Sequence, residues 1–362
     1  MEAIGSFIQT GLPRPAAAVP LFAPADRPVP AVPAAALSPA PLVPGGVRAD
    51  AQPAAPALVT VIVCTHERPG YLATCLAALA RQSGGNDGAC VLVVDSASSA
   101  GAAAEIAALT AAHGAALLRV DTPGLSLARN AGLAAATTPW VAYIDDDARV
   151  ASDWVQGVAA VVARLPSTAA ALGGPIVPAW EAACPPWWPE ELVPALTVLR
   201  WDRPGRIGDG SLPPHVEPYG ANMVFRASAL RAVGGFPLQL GRVGAKLLSG
   251  EEAWVMRALR RAGHDVHYDP AVSVTHSIQA GRLTPGWLLT RQFWSGVSEA
   301  ILAIRMGQRH AALRKGATMA VHVAAGAPLM LIRRASAVMI RERCALAFAL
   351  GYLRGMAMTL WT

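Results

Sequence analysis

The chain has 362 residues, 53% of them hydrophobic and 15% charged, which is enough to fill the core of one large α/β domain with additions, or of two domains. Its formal net charge of +6 favours an anionic partner, such as nucleotide phosphate or an anionic membrane surface. No dense Lys/Arg run is present, so we predict no nucleic-acid partner. The five cysteines form no CxxC pair, which argues against a zinc site or a disulfide framework and for free thiols in the cytoplasm.

The N-terminal segment, residues 1–56, is rich in alanine and proline and carries few charges. Frequent prolines remove backbone donors and block both helices and strand ladders. The segment also lacks the basic-then-apolar pattern of a secretory signal. We therefore predict a disordered, low-complexity lead before the folded part of the chain.

Strands and helices alternate four times between residues 57 and 145. The predicted strands are short, β-branched and continuously apolar, as expected for strands buried on both faces. They are Ala57–Thr65, Cys90–Ser98, Ala115–Val120 and Pro139–Asp145. The predicted helices are Gly70–Gln82, Ala102–His113 and the end of Gly124–Ala136, with Ser126 as N-cap. This alternation predicts a parallel, doubly wound sheet.

The second half of the chain is less regular. We predict strands at Gly173–Trp180 and Tyr219–Phe225, two more within Asp265–Ser277, and helices at Ala227–Val233, Ser249–His264 and Pro285–Arg305. A long Pro- and Trp-rich connection, Glu181–Val216, lies between them, and a loop of that length either binds something or is disordered.

Polar residues end three of the predicted strands. Thr65, Asp95 and Asp145 all stand where a parallel sheet binds its ligands, beyond the carboxyl ends of the strands. Asp145, Asp146 and Asp147 follow an apolar run, and a D-x-D turn of hard oxygen ligands suits Mg²⁺ or Mn²⁺ bound to a diphosphate. The alternative is an acidic turn that caps the next helix.

Other polar residues have competing interpretations. Asp95 either binds a nucleobase or ribose or caps a turn, and Arg129 and Asn130 fit a solvated helix face equally well. Glu251 and Glu252 begin a helix, where the dipole favours acids, but one of them is also a candidate general base. His276 ends a strand and is a metal ligand, a phosphate contact or a structural residue.

Several common catalytic motifs are absent from the sequence. No G-x-G-x-x-G follows the first strand, which argues against dinucleotide binding by that fingerprint. The chain also has no G-K-[ST] phosphate loop and no G-x-S-x-G nucleophile elbow.

Five segments, in order, resemble the family-2 glycosyltransferases, which have the GT-A fold. The resemblance runs from Val59 to about Ala300. The segments are VTVIVCTHERPGYLATCLAALARQ, VLVVDSAS, GLSLARNAGL followed by WVAYIDDD, YGANMVFRASALRAVGGF, and LSGEEAWVMRALRRAGHDVHYDPAVSVTH. The resemblance implies a Rossmann-like nucleotide-binding half, 57–150, and an acceptor-binding half, 151–306.

The resemblance also implies roles for individual residues. The nucleotide-sugar contacts would be Thr65, Glu67, Arg68, Asp95, Arg129, Asn130 and Asp146. The metal ligands would be Asp145 and Asp147, with His276 as a third. The pair Glu251–Glu252 stands where the family commonly has Glu-Asp, and the second position is the usual base. We therefore predict Glu252 as the base, with Glu251 as the alternative.

The activity implied is an inverting, metal-dependent transfer of one sugar from a nucleotide-diphosphate sugar to a sugar or lipid-linked acceptor, in polysaccharide or glycolipid assembly. The processive Q-x-x-R-W signature is absent, and RQFWSG (Arg291–Gly296) stands in that region. The alternatives are a same-fold sugar nucleotidyltransferase and an inactive membrane-associated scaffold. Nearly all the acidic residues that the resemblance implies for an active site are present, which argues against an inactive scaffold.

The C-terminal region, 307–362, carries two apolar helical stretches with basic edges, Ala317–Ile332 and Cys344–Trp361. The first is shorter than the ~20 residues that a membrane-spanning helix needs. We expect peripheral attachment to the inner face of the plasma membrane. The alternative is that these helices pack on the catalytic domain or form a homodimer interface.

Overall fold

A computed structural model describes residues 57–83, 88–213, 216–244, 246–326 and 336–360. The predicted N-terminal segment, 1–56, lies outside these residues. The strands are β1 (Val59–Thr65), β2 (Ala89–Ser96), β3 (Ala116–Val120), β4 (Trp140–Asp145), β5 (Ala148–Val150), β6 (Ala169–Gly173), β7 (Ile176–Trp180), β8 (Gly205–Arg206), β9 (Met223–Arg226), β10 (Asp265–Tyr268) and β11 (Val274–Ile278). The α-helices are α1 (Pro69–Ala80), α2 (Ala100–Ala112), α3 (Leu125–Ala135), α4 (Trp154–Arg164), α5 (Ala227–Ala232), α6 (Glu251–Arg261), α7 (Pro285–Arg305), α8 (Arg309–Gly326) and α9 (Ala337–Leu360).

The central sheet has eight strands in the order β3-β2-β1-β4-β9-β6-β10-β8. Strands β1 to β4 are parallel, and β9 runs antiparallel between β4 and β6. A second, three-stranded sheet has the order β5-β11-β7. The predicted mostly parallel α/β architecture is confirmed.

The first strand shows why the alternation could be read from the sequence. Val61 and Val63 pack into one core cluster with Leu72 of α1, whereas Ile62 points to the other face and packs with Ala128 of α3. All three β1 residues are fully buried. A strand covered by helices on both faces needs an unbroken apolar run, which is the pattern that predicts it.

Two local predictions differ from the structure. The strand predicted at Gly173–Trp180 is confirmed over β7, Ile176–Trp180, but Gly173 ends β6 in the other sheet, and the backbone breaks at Gly174, where a Cβ would lie 2.0 Å from the carbonyl oxygen of Val272. Helix α3 is capped by Gly124, not by Ser126. The Ser126 hydroxyl instead donates to the Leu240 carbonyl at 2.8 Å and joins two distant segments.

The long connection after β7 is ordered over most of its length. It contains a 3₁₀ helix, Glu190–Leu196, and the short strand β8. Trp188 and Leu196 pack in an apolar cluster with Leu288 of α7 and Cys344 of α9. The connection therefore helps to attach the C-terminal helices to the rest of the fold.

Helices α7 and α9 pack through glycines. A Cβ on Gly296 would lie 2.1 Å from the Phe348 carbonyl oxygen, and one on Gly351 would lie 1.8 Å from that of Phe293. Backbones can approach this closely only where no side chain intervenes, so α9 is held against the catalytic half. Helix α8 rests on α9 and leaves its outer face in solvent, where Val321 is 70% exposed.

Within the described residues, no helix is both long enough and apolar enough to cross a bilayer.

Candidate active site

The polar ends of three neighbouring strands meet at one edge of the central sheet. In the strand register, Thr65 of β1 pairs with Asp95 of β2, and Cys64 pairs with Asp145 of β4. The aspartates Asp146 and Asp147 follow β4 directly. The fold thus brings together the strand ends that the sequence marked as one pocket.

The three consecutive aspartates turn in different directions. Asp146 is fully buried, accepts a hydrogen bond from the Thr65 hydroxyl at 2.7 Å and pairs with Arg68. Asp145 keeps 32% of its side chain exposed and faces Arg129, whose Nη2 lies 3.4 Å from Oδ1. Partners on separate elements therefore relieve the repulsion between adjacent carboxylates.

Asp147 is buried and is surrounded by basic side chains. Its Oδ2 accepts hydrogen bonds from Arg68 and Arg282, both at 3.0 Å, and from Gln279 at 2.9 Å. Its Oδ1 lies 3.2 Å from Nε2 of His276. That contact depends on the antiparallel pairing of β11 with β5, which sets His276 opposite Ala148.

The two buried aspartates differ in acidity. Burial raises the pKa of Asp146 to about 7, because desolvation outweighs the attraction of Arg68. Burial also tends to raise the pKa of Asp147, but this effect is outweighed by the hydrogen bond and charge of His276 and by the guanidiniums of Arg68 and Arg282. They hold the pKa of Asp147 well below its ordinary value. Asp147 is therefore a permanent carboxylate.

The pair Asp147–His276 fits a divalent cation. Two cis ligands of an octahedral ion at ~2.1 Å would lie ~3 Å apart, close to the 3.2 Å between Oδ1 and Nε2. A carboxylate is the kind of ligand that Mn²⁺ and Mg²⁺ prefer, and phosphate and water would complete the coordination. Among the described residues, no group of three His, Cys, Asp or Glu side chains is arranged to hold a metal ion. Asp145, predicted as a metal ligand beside Asp147, faces Arg129.

Arg129 links this edge of the sheet to the start of α6. Its guanidinium is 2% exposed, and Nη1 lies 2.8 Å from Oε1 of Glu251 and 3.6 Å from Oε1 of Glu252. It also lies over the ring of Phe236, 5.3 Å from the centroid. One buried guanidinium therefore interacts with the carboxylate of Asp145 and with those of the glutamate pair.

The two glutamates are distinguished by their surroundings. Glu251 is 2% exposed, and burial together with the charge of Glu252 raises its pKa to about 8. Glu252 keeps 19% of its side chain exposed, and Arg129, its backbone hydrogen bond and Glu251 outweigh burial and lower its pKa. At neutral pH Glu251 holds a proton, and Glu252 is the ionised carboxylate that solvent reaches.

The remaining predicted nucleotide contacts hold the two loops at the sheet edge. The Oδ1 of Asp95 accepts from the Ser98 amide at 3.1 Å, and its other oxygen pairs with Arg119. Glu67, in a left-handed conformation with φ 57°, accepts from the amide and hydroxyl of Ser99. The carboxylates of Asp95 and Glu67 thus fix the loops after β1 and β2.

Asn130 has a different surrounding from its predicted neighbours. Its Nδ2 donates to the Phe236 carbonyl at 2.7 Å, and its Oδ1 accepts from the Phe236 amide at 2.8 Å. Both ends of the amide are engaged by backbone. Through these two hydrogen bonds Asn130 holds the segment under Arg129.

Three residues of the site were not predicted from the sequence. Gln279 and Arg282 follow β11 and reach Asp147, although no spacing marks them. Gly220 lies against the site, since a Cβ there would be 2.3 Å from Nη2 of Arg129 and 2.9 Å from Oε1 of Glu252. The only sequence signal was their closeness to His276 and to the segment YGANM.

Comparison with known proteins gives the family. Residues 60–196 match the model of "Glycosyl transferase family 2". The glucosyl-dolichyl phosphate glucuronosyltransferase of Haloferax volcanii is 33% identical over 187 residues, which are 50% of this chain and 56% of that protein. The succinoglycan biosynthesis protein ExoM of Rhizobium meliloti is 28% identical over 247 residues, 66% of this chain and 72% of that protein. The chain thus spans only about half the length of the first of these relatives.

A solved structure shares the fold. The mannosyltransferase PcManGT from Pyrobaculum calidifontis, in complex with GDP-Man and Mn²⁺, superposes with a TM-score of 0.54 at 21% identity. The match covers 82% of this chain and 87% of that one. Family match, relatives and fold agree with the predicted resemblance: residues 60–196 match glycosyl transferase family 2, and the chain has the GT-A fold.

Proposed function

We propose that this protein transfers a single sugar from a nucleotide-diphosphate sugar to an acceptor hydroxyl, with inversion at the anomeric carbon. The observation that carries the proposal is the bridge made by Arg129. Its guanidinium reaches Asp145 at the sheet edge and the Glu251–Glu252 pair at the start of α6. A carboxylate base on one side and a phosphate-binding edge on the other is the arrangement that single displacement requires.

Asp147 and His276, with Asp145 within reach of the same edge, would hold Mn²⁺ or Mg²⁺. The ion would supply Lewis-acid stabilisation of the leaving diphosphate. The presence of GDP-Man and Mn²⁺ in the structure of PcManGT supports this assignment. On the protein side, Arg68 and Arg282 already turn toward Asp147 and add positive charge where the phosphates would lie.

Glu252 would take the proton of the acceptor hydroxyl. It is ionised at neutral pH and reached by solvent, whereas Glu251 is buried and protonated. Glu251 accepts a hydrogen bond from Arg129 at 2.8 Å and so acts as a positioning residue. Attack by the acceptor hydroxyl on the anomeric carbon would then occur once, from the face opposite the diphosphate, and the configuration would invert.

Thr65, Glu67, Arg68 and Asp95 would line the nucleotide. Thr65 and Asp95 lie at the ends of β1 and β2, and Glu67 and Arg68 lie in the loop after β1, at the ligand-binding edge of the sheet. A polysaccharide or glycolipid acceptor is supported by the relatives, one named for glucosyl-dolichyl phosphate and one for succinoglycan biosynthesis.

The proposal includes peripheral contact with the cytoplasmic face of an anionic membrane through α8. Leu313 and Val321 on this helix are 43% and 70% exposed, and Arg309 and Arg314 lie on the same helix with no acidic residue in it. Apolar side chains beside basic ones suit an anionic bilayer surface. Such contact would hold the site beside a lipid-linked acceptor.

The activity is tested with a panel of nucleotide sugars. We expect one donor to raise the melting temperature in the presence of Mn²⁺ and to be hydrolysed slowly without an acceptor. Glu252→Gln should keep the thermal shift and lose turnover, whereas the exposed Glu105→Gln on α2 should keep both. If no nucleotide sugar stabilises the protein with either metal, the proposal is wrong.

Membrane contact is tested by vesicle flotation. Val321→Glu should abolish flotation with vesicles rich in phosphatidylglycerol, whereas Val177→Glu, at an exposed valine on β7, should not. Equal flotation of wild type with purely zwitterionic vesicles, or no flotation at all, would remove the electrostatic membrane contact from the proposal.

A further inference from the structure

Helix α6, which carries the glutamate pair, begins without a side-chain cap. Its first residue is Glu251, and its N-cap is Gly250, which adopts a left-handed conformation with φ 93°. A glycine N-cap offers no side-chain oxygen to the first backbone amides of a helix, and glycine accepts many backbone conformations. The direction of the first turn, which includes Glu252, is therefore set by contacts from outside the helix.

Helix α7 supplies two of these contacts through Ser249, the residue before the N-cap. The Ser249 amide donates to the hydroxyl of Ser298 at 2.9 Å. The Ser249 hydroxyl accepts from Nη1 of Arg291 at 3.2 Å, and the same Nη1 donates to the Leu247 carbonyl at 3.2 Å. Arg291 and Ser298 are about two turns apart on α7 and lie on one face of it. Both the backbone and the side chain of Ser249 are thus held from α7.

The hydroxyl of Ser298 is engaged on both sides. Ser298 is 3% exposed, and its hydroxyl donates to the Trp294 carbonyl at 2.8 Å, one turn earlier in the helix. That bond uses the hydroxyl hydrogen and leaves an oxygen lone pair for the Ser249 amide. An alanine at this position would take the acceptor from the Ser249 amide. Because an unsatisfied amide is costly away from water, the loop before α6 would shift to find another partner.

A different face of α7 is fixed by α9. A Cβ on Gly351 would lie 1.8 Å from the Phe293 carbonyl oxygen, and one on Gly355 would lie 2.5 Å from the Val297 carbonyl oxygen. Packing this close leaves no room for α7 to slide or rotate against α9. Helix α7 is therefore a fixed support for the loop that it holds.

We propose that Ser298 and Arg291 are positioning residues for the base: they hold Ser249, fix the start of α6 and so set where the Glu252 carboxylate meets the acceptor hydroxyl. This inference rests on the proposed function, because it takes Glu252 as the base. It makes α9 part of the catalytic apparatus, since α9 holds the helix that holds the base. The side chains of Ser298 and Arg291 bond to the loop before α6 and to α7 itself, so donor binding should not depend on them.

The test is a double-mutant cycle on the hydrolysis of the nucleotide sugar that, of the donor panel, raises the melting temperature most with Mn²⁺. We expect Ser298→Ala to keep the KM for that donor and to lose about 10- to 100-fold in kcat, up to the scale of a ~1 Å misplacement. In a Glu252→Gln background, Ser298→Ala should cause no further loss, because both changes act through one group.

Ser295→Ala is the matched control on the same helix. The Ser295 hydroxyl makes the same bond one turn back, to the Arg291 carbonyl at 2.9 Å, but it does not hold the Ser249 amide. Ser295→Ala should therefore keep the kcat of wild type. A normal kcat in Ser298→Ala, or the same loss in both backgrounds, overturns the inference, while an inactive Glu252→Gln upholds the proposed function.

Ser249→Ala tests the contact with Arg291, since it removes the hydroxyl that Arg291 holds and keeps the amide that Ser298 holds. It should lower kcat in wild type and not in Glu252→Gln, and a normal kcat removes Arg291 from the assignment. If Ser298→Ala does not fold, Ser249→Ala decides, and its normal kcat then overturns the inference. If wild type hydrolyses no nucleotide sugar of the panel, or Glu252→Gln is fully active, the proposed function fails and this inference fails with it.

Discussion

Replacing Gly220 with alanine tests whether the buried guanidinium of Arg129 positions the base. The new Cβ would lie 2.3 Å from Nη2 of Arg129 and 2.9 Å from Oε1 of Glu252. Ordinary contact begins at 3.4 Å, so the guanidinium would have to move by about 1 Å and the carboxylate by about half as much. Neither group is free to move alone, since Nη1 of Arg129 is held by Glu251 at 2.8 Å.

A displacement of ~1 Å in a positioned catalytic group costs on the order of 10²-fold in rate. Overpacking of a buried site costs about 1–3 kcal/mol of unfolding free energy. We therefore expect Gly220→Ala to fold, with a lower melting temperature, to bind the nucleotide sugar, and to lose about 10²-fold in kcat.

The assay is steady-state transfer or donor hydrolysis, together with thermal unfolding of the same preparations. Gly101→Ala is the matched control, because nothing lies within 4 Å of its Cβ on the exposed start of α2. It should keep kcat and gain up to about 1 kcal/mol of helix stability. A normal kcat in Gly220→Ala would refute the reasoning, since the added methyl group would then have displaced neither Arg129 nor Glu252.

Four further outcomes are expected. Glu252→Gln should lose about 10²–10⁴-fold in rate while it still binds the donor; an active Glu252→Gln and an inactive Glu251→Gln would reverse the assignment. Because the folded pKa of Glu251, about 8, exceeds its ordinary 4.5, its contribution to stability is present below pH 4.5 and is lost as pH rises through 8. The free energy of unfolding in urea should therefore fall more between low pH and pH 9 for wild type than for Glu251→Gln. The same dependence on pH in both proteins would contradict a buried proton on Glu251. Asp147→Ala should abolish turnover with the fold retained by circular dichroism, and full activity in EDTA would exclude the metal. Gly351→Ala should lower the unfolding free energy by about 1–3 kcal/mol, because its Cβ would meet the Phe293 carbonyl; unchanged stability would mean that α7 and α9 can separate freely.

Much of the fold could be predicted because burial leaves a direct trace in sequence. Helix α7 begins and ends where the apolar spacing predicts, at Pro285 and Arg305. The strand predicted to start at Gly173 begins at Ile176, because the break after β6 is set by the packing of Gly174 against Val272. Period and composition do not register a constraint imposed by a distant backbone.

The site was predictable as a set of residues and much less as an arrangement. Asp147 and His276 meet only because β5 and β11 pair, a contact between distant parts of the chain. The choice between Glu251 and Glu252 depends on which carboxylate Arg129 buries, and adjacent identical residues carry no signal of that. The role of Arg282 at Asp147 was not predicted, because nothing in the sequence distinguishes this arginine from other arginines in loops.

The glycine contact between α7 and α9 has a consequence for how the chain folds during synthesis. The face of α7 that includes Val297 and Ala300 stays uncovered until α9 has been made, with the whole of α8 translated between them. An apolar face without its partner is prone to aggregate or to meet another nascent chain. Chaperones should therefore bind α7 during synthesis, and slower translation through α8 should lower the yield of folded protein, because it prolongs the exposure of the uncovered face of α7.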